Sequence, residues 1–189
     1  MNDSRTYDGL TKIILGYFFI YFDFNINTVS ILPSFVGYFL LLLAIEGLAC
    51  EEQELRLLRP FATVLLLWHG AKWLLSWGSV SLDGMLWVAD IVVGLINLYF
   101  HFQLLTNLAS IAGKYQSQED ALDQKLLLYR TVQTVLLTAV MIIGKLSEVL
   151  GEYWAVISIG LAIVYIIVGI LLIKALFTLR KRLSSEESL

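Results

Sequence analysis

Residues 21–39 read YFDFNINTVSILPSFVGYF, an aspartate, two asparagines and a proline set between two oily runs. A chain that breaks an apolar run with these residues is turning. Asn and Asp close turns through their own backbone contacts, and Pro33 suits a helix start, where its missing N–H costs little. Upstream, an apolar helix counted from Lys12 to Phe22 reaches only about 16 Å at 1.5 Å per residue. A hydrocarbon core is about 30 Å thick. The turn therefore is expected to sink below the membrane surface, where irregular backbone needs protein or a wet cavity to satisfy it. Phe22, Phe24 and Ile26 alternate with Asp23, Asn25 and Asn27. In an extended segment that alternation puts the polar side chains on one face.

Composition supports a membrane setting for this turn. Of 189 residues 58% are hydrophobic, and mean hydropathy is +0.77. Six apolar segments can be drawn, at about 10–22, 29–49, 60–77, 85–111, 126–150 and 154–179. The expected fold is all-α, a single integral membrane bundle of six transmembrane helices arranged as three hairpins. Positive residues collect in cytoplasmic loops. Here Arg5 and Lys12, Arg56 and Arg59, Lys114, Lys125 and Arg130, and Lys174 with Arg180–Arg182 fall on alternate connections, and the others carry only Lys145, near the edge of the fifth. Both termini are thus expected in the cytoplasm. Trp77, Trp87, Tyr153 and Trp154 mark the opposite boundaries, where amphipathic rings prefer the interface.

Other classes find little support. Net charge is −3 with no basic stripe, so nucleic acid is not an expected partner. No small-residue cleavage pattern follows the first apolar run, and no removable leader is expected. The lone Cys50 cannot form an internal disulfide. On the reducing side it is expected as a free thiol. Gly16, Gly70 and Gly144 occupy similar places in the odd-numbered helices, as a triplicated hairpin would leave them. Ser117-Gln118-Glu119-Asp120 resembles a capping start for the fifth helix. Glu52 and Arg56 have the i,i+4 spacing of a helical ion pair.

The motif D-F-N-I at 23–26, followed by I-L-P-S-F-V-G-Y at 31–38, resembles the first hairpin of a family of small polytopic membrane proteins from low-GC Gram-positive bacteria. The resemblance covers about the first quarter of the chain. It implies a bacterial plasma membrane and brings no activity with it.

Ionisable residues inside spanning helices usually face the bundle interior or a cavity. Lys72 and Asp90 are expected at similar depth across the second hairpin, as an ion pair. Lys145 and Glu148 lie three apart on one face. With Asp23 they place five charges in the extracellular half. Asp23, Asn25, Asn27, Lys72, Asp90, Lys145 and Glu148 form the candidate ligand site. The plainer reading is turn closure and internal pairing. Asp23-x-Asn25-x-Asn27 opens like a calcium loop, but Thr28 and Ser34 stand where glycine and glutamate are needed. His69 and His101 are expected about 12 Å apart along the bundle axis, too far to share one metal. No nucleophile–base set is visible, so no catalytic residue, cofactor or metal is expected. Ser158 and Ala162 could allow close helix packing.

Two functions follow. The first is binding or transport of a small solute through an outward-facing polar pocket, without enzymatic chemistry. Size and short outer turns are similar to those of the substrate-capture subunits of energy-coupling-factor vitamin transporters, a similarity of counts without a shared motif. The second is a regulatory, immunity or assembly subunit, meeting a membrane protein partner or a second copy of itself. Its working surfaces would be the cytoplasmic loops at 51–59 and 114–125 and the tail RKRLSSEESL.

Overall fold

The computed structural model describes residues 3–22, 25–26, 29–30, 33–77, 87–115 and 121–186. Helix α1 runs Asp3–Tyr21 and is followed by two short strands, β1 (Asn25–Ile26) and β2 (Val29–Ser30). Then come α2 (Ser34–Leu48), a 3-10 segment (Gln53–Leu58), α3 (Arg59–Trp77) and α4 (Trp87–Tyr115). The chain ends with α5 (Leu122–Lys145), the single turn α6 (Ser147–Leu150) and α7 (Tyr153–Glu186). The strands pair antiparallel, Asn25 with Ser30 and Ile26 with Val29. The expected turn thus carries a short antiparallel pairing on either side of residues 27–28, which lie outside the described residues.

Helix α1 begins seven residues before the apolar run that announced it. Asp8 and Lys12 form an i,i+4 ion pair, and Thr6 is fully buried. The first turns are therefore held by packing, which composition alone does not reveal. At 19 residues the helix is about 28 Å long, so a short first helix no longer forces the turn to sink. Helix α2 starts later than expected because Pro33 (φ −70°, ψ 130°) stands extended as its N-cap, and 29–30 belong to β2. Helix α5 starts at Leu122 behind Ala121, which adopts the left-handed conformation (φ 42°, ψ 39°) with no side-chain cap. The proposed capping residues 117–120 lie outside the described residues. The Glu52–Arg56 spacing does not make a helical pair, because the segment winds as 3-10. Glu52 turns instead to Ser110 and Lys114 on α4.

Helices α1, α2, α3, α4, α5 and α7 each pack against the next, and α7 closes back on α1. The pairs run antiparallel. The α1–α2 contact is the most extensive and is built on small residues. A Cβ on Gly37 would lie 2.7 Å from the Gly16 carbonyl oxygen, and one on Gly47 would lie 3.1 Å from that of Arg5. Close backbone approach maximises dispersion where apolar solvent removes the hydrophobic drive. Gly70 and Gly144 play no matching role. A Cβ on Gly70 would make only ordinary contact with Phe35, and one on Gly144 would meet nothing within 4 Å.

Burial is lopsided. Leu10, Ile13, Leu41, Ile45, Leu55, Leu58, Leu104, Leu108, Leu172 and Leu176 fill a fully buried core near the end that carries the termini. Towards the other end the packing thins. Among described residues α3 buries none after Leu65, α4 none before Phe100, α5 none after Leu136 and α7 none before Val168. Helices α1 and α2 stay packed to Tyr21 and from Gly37. Thus four helices are loosely packed at the end opposite the termini.

Among the described residues three helices are long and apolar enough to cross a membrane: Trp87–Tyr115, Leu122–Gly144 and Tyr153–Leu183. Only 17% of the most apolar window of the last is buried within the protein. Such a surface has lipid as its natural solvent. The chain is a membrane protein.

Candidate functional site

Asp90 sits in the first turn of α4 and Lys72 in the second half of α3. Lys72 Nζ donates to Asp90 Oδ1 at 2.8 Å, and each side chain keeps about a third of its surface exposed (34% and 31%). The ammonium also lies 5.6 Å from the centre of the Trp68 ring. An ammonium held by a carboxylate and a π face tolerates this partial burial without full hydration.

Asp90 also lines a cavity of about 600 Å³ between α4 and α5, with Ile91, Val140, Met141, Ile142, Gly144 and Leu146. Its carboxylate is the charged group on an otherwise apolar wall. Beside it, a second cavity of about 390 Å³ opens between α5 and α7, over Leu137, Ile143, Trp154, Ser158, Leu161 and Tyr165. Gly144 and Val140 border both. A Cβ on Gly144 would meet nothing within 4 Å, so this shared border is open space.

Deeper in the bundle lies a polar aromatic cluster. Tyr38 donates to Asn97 Oδ1 at 2.8 Å, and its ring stacks on His69 with centroids 4.8 Å apart. His69 Nδ1 lies 3.1 Å from Ser34 Oγ, and His101 Nδ1 lies 3.2 Å from Tyr17 Oη. Tyr38 also approaches His101, at 6.1 Å between centroids. The Tyr38 ring lies against both histidines, which brings their rings closer together than the 12 Å expected from register. Among the described residues no group of three His, Cys, Asp or Glu is placed to hold a metal. Tyr21 lies against Tyr165 at 4.6 Å, which α7 permits by placing Gly169 where a Cβ would strike the Tyr21 ring.

Towards the termini, Asn107 and Gln133 are buried, at 2% and 1% exposure. Gln103 donates to Asn107 Oδ1 at 3.1 Å. Arg130 donates to Thr106 Oγ1 at 3.1 Å and covers the Phe102 ring. The acidic turn after α2 is fastened to α4. Ser110 donates to Glu52 at 2.8 Å, and Tyr115 to Glu51 at 2.9 Å. These bonds make the connection a clamp between α2 and α4.

Of the seven residues singled out in the sequence, the structure brings together Lys72 and Asp90. Asp23 and Asn27 lie outside the described residues, as do the side chains of Asn25, Lys145 and Glu148. Ser34, Tyr38, His69, Asn97 and His101 went unnoticed as a group. A signal existed on α4, where Asp90, Asn97 and His101 are spaced seven and four apart, a single helical face. The chain matches no known protein-family model, no curated protein and no solved structure.

Proposed function

We propose that this chain spans a bacterial plasma membrane six times, as three hairpins with both termini in the cytoplasm. We further propose that it binds or moves a small solute without enzymatic chemistry. The observation that carries this reading is the Asp90 carboxylate, set in the wall of an apolar cavity at the loosely packed end of the bundle. Ligand pockets are mostly apolar, with a few polar groups that fix orientation. A solute with an apolar body and a polar or cationic head fits such a wall, its head exchanging with Lys72 for Asp90. Asp23, Asn25 and Asn27, with Lys145 and Glu148, are assigned to the same ligand face from their sequence positions. Alternating antiparallel helices and the basic residues at the terminal end support the six-span, N-in and C-in arrangement.

The test is a cellular phenotype measured at matched expression. Gly144→Phe fills the shared border of both cavities, and Asp90→Asn removes the charge with its shape kept. A lost bond to a charged group is worth about 1.5–3 kcal/mol, so solute affinity should fall about tenfold or more in Asp90→Asn. Arg56→Glu, on the exposed turn before α3, should leave the phenotype intact. Normal function in folded Gly144→Phe and Asp90→Asn proteins, with loss in Arg56→Glu, would replace the solute reading with a cytoplasmic partner.

A further inference from the structure

A groove of about 330 Å³ lies at the terminal end, lined by Tyr7 of α1 and by Phe177, Thr178, Arg180 and Lys181 of α7. The Arg180 guanidinium is held between two rings, 5.2 Å from the centre of Tyr7 and 4.8 Å from that of Phe177. Among the described residues its one hydrogen bond is a long one, 3.4 Å to Thr11 Oγ1. Among the described residues no carboxylate pairs with it. On α1, Asp8 is committed to Lys12. Arg180 is therefore oriented by its aromatic walls, with most of its planar fork of donors unspent. Such a fork matches phosphate oxygens.

Depth selects the source of that phosphate. Helix α7 has 34 residues, far more than a crossing requires. From Trp154, twenty residues of helix cover the roughly 30 Å of hydrocarbon and end near Lys174. Arg180 then stands about 9 Å further along the axis, in the headgroup layer. Phe177 and Tyr7 are half exposed beside it, at 44% and 37%, as residues are that meet acyl chains and glycerol. We propose that this groove binds the phosphodiester headgroup of an anionic phospholipid, with Arg180 as the oriented donor and Lys181 as the second positive charge.

The experiment uses the full chain in detergent, titrated with dioctanoyl phosphatidylglycerol, dioctanoyl phosphatidylcholine or inorganic phosphate, with bound species counted by native mass spectrometry. Two basic groups at a membrane surface should favour the anionic lipid by about tenfold. Arg180→Gln and Lys181→Gln should each erase most of that preference, while Arg182→Gln, outside the groove, should keep it. Arg180→Gln disturbs two ring contacts and could fold poorly. Lys181 is exposed and its variant leaves the Arg180 ring contacts in place, so the test does not depend on Arg180→Gln alone. Equal binding of the two lipids, or an equal loss in Arg182→Gln, would overturn the site. Displacement of the glycerol lipid by inorganic phosphate at the same concentration would overturn its assignment to lipid.

Discussion

Lys72 and Asp90 illustrate how partial exposure scales an ion pair. Breaking a fully buried pair costs about 3–5 kcal/mol, and an exposed one is worth about 1 kcal/mol at most. With each side chain a third exposed, Lys72→Met or Asp90→Asn alone should cost an intermediate amount, about 1–3 kcal/mol. The double variant should cost less than the sum, because neither charge is then stranded. Thermal unfolding in detergent reads this cycle, and strictly additive losses would mean that the pair carries no coupling. The pair was legible in sequence because helix register needs only a turn position and two charges in an apolar background. Tyr38 was not legible. Its role depends on His69 and His101 coming from two other helices, and no spacing within α2 encodes that.

At the scale of elements, the α1–α2 pair is the rigid part of the bundle. Gly37→Ala would drive a Cβ to 2.7 Å from a backbone oxygen that cannot rotate away. The helices would have to separate, and overpacking of this kind costs about 1–3 kcal/mol. Gly144→Ala meets open space and should be neutral or stabilising by up to about 1 kcal/mol, since alanine favours helix. Unfolding midpoints of the two variants check the contrast, and equal effects would remove the close approach from the account. Gly16 and Gly144 looked alike in sequence, because a glycine's letter does not say whether another backbone lies against it. Among the described residues the six apolar runs each correspond to one α-helix longer than a single turn. They misplaced the start of α1, where polar residues fold by packing and an i,i+4 pair, and of α2, where Pro33 and strand pairing delay the helix.

The whole molecule combines a closed end and a loosely packed one. The core leucines gather near the termini, and both cavities lie towards the opposite end, where α7 buries nothing before Val168. No hydropathy pattern distinguishes those ends, since leucine and isoleucine serve equally in a packed core and against lipid. If both termini are cytoplasmic, a reporter fused after Leu189 that works only outside the cell should be silent, and activity there would invert the bundle. The central claim is that the cavities beside Asp90 are open to water from the outside. Thiol labelling tests it most directly, in a Cys50→Ser background, with a membrane-impermeant maleimide applied to intact cells. Ile91→Cys and Ser158→Cys, on the two cavity walls, should label readily from outside. Ile159→Cys, exposed but outside both cavities, and Leu176→Cys, in the closed core, should not. Labelling of Ile91→Cys and Ser158→Cys no faster than of Ile159→Cys would mean that lipid or packed side chains fill the space, contradicting an outward-facing pocket.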